Sequence, residues 1–600
     1  MIQRMKKVTV LVSEKEREKF ISRLREAGVL HVKPVNPPAS HEINFVEDRI
    51  SKIEKMLAEL RPYVLSGRTE GQKGRLVCDE RDIVMIADKV SEATREIREC
   101  RENIRAHKRQ QDWFGLWGAF DPADLDLLKE KGANISFYRL NKHQFKELDK
   151  GLSCHVVKKE QGYVYLAHLT LHSDEKLPYE EVPPPSKSPD ELEEDIEALE
   201  EIIKGTEEFL AEKALMAESV RKCGERLKKE HEFLSVKFGM QEEGRFSYIQ
   251  GFCPVKRMEK ITGMVKQQGL GYLVEEPDSP EETPTLVTNP KWIDIIKPVF
   301  QFMNTVPGYE EFDISFVFLI FFSVFFAMLI GDAGYGTLFL IVTFLARMKF
   351  RKLPPQPFFL MYVLSFSTIV WGAITGTWFG SETIARLPFF SGMTIGKISS
   401  FGPDNQNVII YISFVLGVVH LTIAHLMRAV RMMNSLVALS QLGWVAIVWS
   451  MFFGAGTLVI NRPFPPFTLY LLGAGVLLVM LFSQEPGKGW LKRTLGNLAN
   501  LPLSVIGSFS DVVSYLRLFA VGYASVVLAQ TFNGMALQSG ISGPVAGLGA
   551  ALTLFFGHAL NITLGFMAVI VHGIRLNMLE FSGHLGMSWS GKQYEPFGEH

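Results

Sequence analysis

Ser514-Tyr515-Leu516-Arg517-Leu518-Phe519-Ala520 sits near the middle of an apolar run that extends from Leu503 to Thr531. A bilayer core needs about 20 residues of helix, so a run of this length reads as a membrane span with an arginine inside it. That arginine is costly: at helix centre it is disfavoured by about 2.5 to 3.5 kcal/mol on insertion scales, and such residues are tied to a partner or line a hydrated path. Two readings follow. Arg517 is a structural ion-pair member, with Asp511 or with another span, or it serves in transport. Ser510, Ser514 and Ser525 fall on its helical face, which favours a polar seam over lipid contact.

Around this run the second half of the chain is apolar at membrane length and reads as an α-helical polytopic membrane bundle of about eight transmembrane helices. They centre on Phe312 to Ile330, Ala333 to Ala346, Phe358 to Phe379, Val408 to Met427, Leu436 to Ile460, Phe467 to Phe482, Leu503 to Thr531 and Val545 to Phe581. The first two abut at Gly331-Asp332-Ala333-Gly334-Tyr335-Gly336, where glycines and a carboxylate mark a hairpin. Asp332 reads there as a stabiliser of the turn rather than an ion carrier. Lys and Arg collect in cytoplasmic loops. Arg347, Lys349, Arg351 and Lys352 follow the second span, Arg428 and Arg431 the fourth, and Lys488, Lys492 and Arg493 the sixth, so these loops are expected inside. Arg386 and Lys397, in the Gly380 to Gln406 loop, are a mild exception. An even number of spans then puts both termini in the cytoplasm.

The last span carries His558, Asn561, His572 and Arg575 within a sector of roughly 100° on an α-helical wheel, with Gly565 and Ala568 leaving room between them. Arg575 lies close enough to the helix end to snorkel, so a place in this polar face and a merely interfacial role both stand. Glu580, just beyond, is an interface carboxylate or part of an exit path. His420 and His425 diverge by roughly 140° on the fourth span and make a poor metal site. Gly586 to Gln593 nearly matches a phosphate-binding loop, but Gln593 stands where Ser or Thr is needed, and no strand or nucleotide-binding fold surrounds it.

The first half is built for a different solvent. The 600-residue chain has a net charge of -1 and is 47% hydrophobic, yet charge fills its first half and apolar residues its second. Glu14, Lys15 and Glu16 interrupt any signal-peptide core, so this half is expected in the cytoplasm. Cys78, Cys100, Cys154, Cys223 and Cys253 form no CxxC pair and read as reduced structural thiols. Balanced charge argues against nucleic-acid binding. Lys7 to Val12, Glu14 to Ala27 and Leu30 to Val35 read as a β-α-β unit that Phe246 to Val274 completes. A second α+β patch covers Ala123 to Leu171. Ser188, Pro189 and Glu191 open a long helix with a capping box. Its heptad stripes, Ile196, Ile203, Leu210 and Ala217 beside Leu192, Leu199, Val220, Leu227 and Leu234, match stripes at Val46 to Leu60 and Ile86 to Ile104. An elongated cytoplasmic region of α+β lobes joined by an antiparallel coiled coil follows. Arg95, Arg98, Arg101, Arg105 and Arg109 interleave with Glu96, Glu99 and Glu102, as a solvated helix face does.

Together these motifs resemble subunit a of the V-type and archaeal A-type rotary ATPases, called subunit I in the archaeal-type complexes. The marks are Gly331 to Gly336, Trp371-Gly372 through Gly376 and Gly380, Ser514 to Leu518, His572-Gly573-Ile574-Arg575-Leu576 with Glu580, and Tyr594-Glu595-Pro596-Phe597. The resemblance implies that Arg517 faces a rotating proteolipid c/K-type ring with Arg575 nearby. It implies an ion path for H⁺ or Na⁺ involving Glu580, His572, Ser514, Ser510, Asn561 and His558. It also implies peripheral stalk E/G-type partners, a central stalk C/d-type subunit as a further one, membrane lipid, no cofactor, and ATP chemistry on other subunits. On this reading residues 1–290 are a cytoplasmic stalk-binding domain, 291–311 a linker, 312–582 the ion-translocation domain and 583–600 a cytoplasmic tail. Ser525 stands where eukaryotic relatives commonly have histidine, which points to a prokaryotic form. A self-sufficient secondary transporter and a membrane-anchored scaffold are the alternatives; the lack of an inverted repeat counts against the first, and Arg517 against the second.

Overall fold

A computed structural model describes residues 1–65, 80–148, 152–160, 162–172, 176–402, 405–483, 490–537 and 543–598, with the side chains of 65, 80–81 and 490–500 excepted. Cys78 and Lys488 lie outside the described residues, and Lys492 and Arg493 are described by backbone alone. The chain divides into two compact units, one of residues 1–10, 27–33 and 250–597, the other of 11–26, 34–249 and 598–600. The units therefore do not follow a single cut in the sequence.

The short β-rich segments form one five-stranded sheet in the order 31–33, 246–254, 5–13, 271–275, with 241–243 also on 246–254. His31 faces Phe252 and Gln241 faces Tyr248, both antiparallel. Phe246 to Val274 thus completes the sheet that the opening β-α-β pattern begins. The second patch is a three-stranded antiparallel sheet in the order Ala133–Asn141, Tyr163–Leu171, Cys154–Glu160. Trp113, Trp117 and Phe120 pack edge-on and stacked against Phe137 of its first strand.

Four long helices carry the charged stripes: α1 (His41–Leu65), α2 (Glu80–Trp117), α3 (Pro189–Ala214) and α4 (Ala217–Phe238). The capping box at the start of α3 is complete, with Ser188 accepting from the Glu191 N–H and Glu191 accepting from the Ser188 N–H. Leu210, Val220, Leu227 and Leu234 are buried in one core with Ile53, Met56, Leu60, Val90 and Ile97, and Leu192 and Ile196 are buried as well. Direction follows from the ion pairs. Arg101 meets Glu207 at 2.8 Å and Lys108 meets Glu200 at 3.7 Å, so α2 and α3 run antiparallel. The arginine face of α2 is answered by acids of its own helix and of α3, as with Arg95 and Glu99 at 3.6 Å.

All eight expected apolar segments are helical: α5 (Ser315–Ile330), α6 (Ala333–Lys349), α7 (Gln356–Thr375), α8 (Gln406–Arg431), α9 (Val437–Ile460), α10 (Phe467–Phe482), the continuous pair α11 (Trp490–Ser514) and α12 (Leu516–Leu537), and α13 (Pro544–Ala568), which runs on to Leu585. Five described stretches are long and apolar enough to cross a membrane, and six if α5 and α6 are taken as one broken span. The difference from eight is one of length. At 1.5 Å per residue the 16 residues of α5 or α10 reach only about 24 Å, short of a core of about 30 Å. Conversely, Leu501–Leu537 has 37 residues and Pro544–Leu585 has 42. At roughly 55 and 63 Å, each is about twice the core thickness, so these two must tilt or project beyond it.

The segment after the last helix is pinned by an acid that pattern reading leaves unmarked. Glu311 accepts hydrogen bonds from the Ser588 N–H, the Ser588 hydroxyl, the Trp589 N–H and the Gly308 N–H. The Ser588 and Trp589 N–H groups belong to the stretch that mimics a phosphate loop, and they are already occupied by this carboxylate. Burial pushes the Glu311 carboxyl up, but the hydrogen bonds from Ser588, Gly308 and Trp589 outweigh it and hold the group below the ordinary value of 4.5. A depressed folded pKa stabilises above the unfolded value and is lost as pH falls through the folded one. Glu311→Gln is therefore expected to expose the chain after Gly586 to protease at neutral pH, and wild type to do so only on acidification. Equal cleavage of both proteins at neutral pH would remove Glu311 from this role.

Candidate functional site

Arg517 and Glu580 come from different helices. Arg517 follows a break at Tyr515, between α11 and α12, and its Nη2 lies 3.9 Å from Glu580 Oε1. Arg575 approaches the same oxygen, with Nε at 3.6 Å, and Ser514 donates to it at 3.1 Å. The Glu580 side chain is 5% exposed, while Arg575 is 52% exposed. Glu580 Oε2 has no hydrogen-bond partner among the described residues. Arg517 is thus paired across helices, and Asp511, the local candidate, instead meets His584 at 3.0 Å.

The pairing of Arg575 with Glu580 depends on a local departure from α-helix. Val569–Gly573 and Leu576–Phe581 are π-helical. An α-helical repeat would place positions 575 and 580 about 140° apart, whereas the i to i+5 repeat of a π-helix sets them on one face. A wheel drawn at α spacing therefore misses this pair. Ser510 is exposed and stands outside the contact set. His572 is half-buried and its Nδ1 lacks a partner among the described residues.

His558 and Asn561 belong to a second cluster. The Tyr335 hydroxyl is 2.7 Å from His558 Nδ1 and accepts from Asn561 Nδ2 at 3.0 Å. Asn561 also bonds Ser525, receiving its hydroxyl at 3.1 Å, and His558 Nε2 lies 3.2 Å from Asn533 Oδ1. Tyr335 is the hub here. Its only sequence signal is its place in the glycine-rich hairpin, where the neighbouring Asp332 fixes it. Asp332 caps α6 through the Gly334 and Tyr335 N–H groups and also accepts from the Phe379 and Gly380 N–H groups, both at 2.8 Å. Gly331 takes a left-handed φ of 69°, which turns the chain by 118° between α5 and α6. Gly372 lets α7 approach this turn: a Cβ there would lie 2.1 Å from the Ala333 nitrogen.

His420 is stacked between Phe321 and Phe581 and bonded to the Tyr515 hydroxyl at 2.9 Å, while His425 faces Gln441. Among the described residues no group of three or more His, Cys, Asp or Glu side chains is arranged to hold a metal ion. A cavity of about 400 Å³, lined in part by Ile296, Phe300, Phe312, Asp313 and Trp589, contains none of the site residues expected from the sequence.

No family model matches the chain. It is 31% identical to the V-type ATP synthase subunit I of Borreliella burgdorferi over 625 residues, covering 100% of this chain and 99% of the relative. It is 29% identical to the V-type ATP synthase subunit I 1 of Treponema pallidum over 630 residues, covering 100% of both. The A-type ATP synthase subunit I of Methanocaldococcus jannaschii is 27% identical over 67% of this chain and 63% of its own length. A crystal structure of the cytoplasmic N-terminal domain of subunit I of V-ATPase aligns with 45% of this chain and 99% of its own, at 15% identity and a TM-score of 0.24.

Asp332→Asn replaces one acceptor by a donor that faces backbone donors. It is expected to cost about 1 to 3 kcal/mol for the hydrogen bond broken at a buried site. Thermal unfolding of the detergent-solubilised chain reads this directly, and an unchanged midpoint would show that the carboxylate does not hold the turn.

Proposed function

The chain belongs to the subunit I family of V-type and A-type ATP synthases, a non-catalytic membrane subunit of a rotary machine, and we propose that it forms the stationary side of the ion path. The observation that carries this reading is the charge of the Arg517, Arg575 and Glu580 cluster. Two guanidinium groups share one carboxylate, so the cluster keeps at least one net positive charge at membrane depth. Arg575 is half exposed beside Leu579, Val571 and Met567, which are also exposed. The last helix is the least covered of the candidate spans, with 22% of its apolar window buried against 39 to 44% in the others. A cation beside an open apolar face calls for an anion from outside the chain, and a carboxylate on a proteolipid c/K-type ring fits it. Beside the arginines such a carboxylate is favoured in its charged form and releases its ion.

Ser514, His572 and Ser510 line the approach to Glu580 on one side, and Tyr335, His558, Asn561 and Ser525 supply a separate polar route. Offset in this way, the two serve as half-channels that an H⁺ or Na⁺ ion links only by riding the ring. Residues 1–290 bind E/G-type peripheral stalks, residues 291–311 link, residues 312–582 carry the path, and a C/d-type central stalk subunit is a further partner. The cell membrane holds eight helices, the short α5, α6 and α10 included, with both termini cytoplasmic. Arg347, Lys349, Arg351, Lys352, Arg428 and Arg431 support that orientation.

Arg517→Ala is expected to assemble with the complex yet abolish ATP-driven ion uptake in reconstituted vesicles, because an arriving carboxylate loses the charge that favours its ionised form. Arg517→Lys should restore little, since an ammonium lacks the planar fork of donors. Arg575→Ala should approach the same loss if it faces the ring and fall well short of it if it only snorkels. Near-normal coupled pumping by an intact Arg517→Ala complex would sink the proposal.

A further inference from the structure

Four side chains from four helical segments join end to end outside the arginine cluster. His584 Nε2 lies 3.0 Å from Asp511 Oδ2, His584 Nδ1 lies 2.9 Å from His425 Nε2, and His425 Nδ1 lies 3.1 Å from Gln441 Oε1. His425 and Gln441 are buried, the His584 side chain is 11% exposed, and Asp511 is 38% exposed. Trp444 stacks on His425 and Arg428 lies beside Gly586. Of the other titratable groups on or beside these segments, Tyr411, His420, Arg428, Arg431, Tyr515, Arg517, His558, His572, Arg575 and Glu580, none takes a place in the chain.

Counting hydrogens along the chain fixes its charge. The Ser440 hydroxyl is committed to the Val437 carbonyl at 2.7 Å, so the Gln441 atom that faces Ser440 must be the donor, Nε2. Gln441 Oε1 therefore faces His425 Nδ1 and can only accept. His425 carries its hydrogen on Nδ1, and in the neutral ring its Nε2 is an acceptor. His584 Nδ1 must then donate to it. The remaining nitrogen, His584 Nε2, faces a carboxylate oxygen. The contact holds a hydrogen whether that hydrogen sits on Nε2 or on Asp511. Placing the same proton on His425 Nε2 leaves the count unchanged. In every arrangement that satisfies all three contacts, the Asp511, His584 and His425 chain contains one proton more than a carboxylate and two neutral imidazoles.

We propose that Asp511, His584 and His425 form a binding site for one exchangeable proton, entered from the exposed Asp511 end. Loss of the proton leaves His584 with one hydrogen for two acceptors, so its contact with either Asp511 or His425 breaks. Proton occupancy thereby ties the end of the last helix to α8 and α11 together. His584 follows Glu580 by four residues, and Ser514, which donates to Glu580, follows Asp511 by three. The site does not depend on the ion-path reading, since a proton binds here whether the complex carries H⁺ or Na⁺.

The test is pH-difference infrared spectroscopy on the full chain in lipid nanodiscs, across about pH 5 to 8 where histidine charge changes. Wild type should show an imidazolium and carboxylate change that disappears in Asp511→Asn and His584→Gln and persists in Glu580→Gln. Gln441→Leu is the milder probe. It frees His425 to donate from Nε2, so His584 no longer needs the added proton, and the imidazolium signal at about pH 7 should fall. An Asp511→Asn spectrum identical to wild type, or an undiminished signal in Gln441→Leu, overturns the proposal.

Discussion

Burial of the Glu580 carboxylate between two guanidinium groups is the constraint that the membrane half is arranged around. A lone ionised carboxylate in such surroundings is unaffordable, and removing one partner of a buried pair leaves the other charge uncompensated. Oε1 receives Ser514 and two arginines, which requires Arg517 and Ser514 on one helix face and Arg575 and Glu580 on another. The first condition is met across the break at Tyr515, which leaves Ser514 and Arg517 three residues apart. The second needs the π-helical turns of the last helix, so the backbone irregularity and the charge cluster are one feature.

Close approach of helices makes the cluster reachable. Gly522, on the arginine helix, lies so near α5 that a Cβ would stand 2.2 Å from the Met328 carbonyl. Gly557 similarly admits the Phe532 ring, and Gly565 the Ile330 side chain. Without hydrophobic drive inside a bilayer, helices associate by packing, and small residues permit that packing. Tyr515 then fills the space under the break: it is fully buried, with His420 bonded to its hydroxyl and Gly417 against its ring. Sequence, packing and site are connected here through a few residues with little or no side chain.

What could be read from the sequence was what local spacing dictates. The Ser188 capping box, the second α+β patch, the buried heptad positions and the positions of the apolar helices all follow from patterns a few residues long. Glu580 and Arg575 were legible as candidates, but not their alignment, because an α-helical wheel puts them on different faces. Tyr335 was visible only as a member of a motif, and Glu311 not at all, since their partners lie more than 220 residues away. The number of spans is a third case. Hydropathy marks α5, α6 and α10 as apolar, but their 16 or 17 residues fall short of membrane length, so length and composition together support five or six spans where hydropathy alone counts eight.

The cluster geometry also bears on why arginine is used. At 3.9 and 3.6 Å, both contacts to Glu580 lie beyond the usual hydrogen-bond distance. Glu580 therefore attracts the two guanidinium groups without occupying their donors through a close bidentate clamp. Each guanidinium has five N–H groups. On the function proposed above, an anion arriving at the open face can accept from them without first displacing Glu580, and leaving restores the same resting pair. A tight bidentate pairing would stabilise the resting state more and oppose each exchange, whereas removal of Glu580 would strand two like charges side by side. A loosely held carboxylate between two arginines meets both demands: it keeps the charge tolerable in an apolar setting and leaves it available.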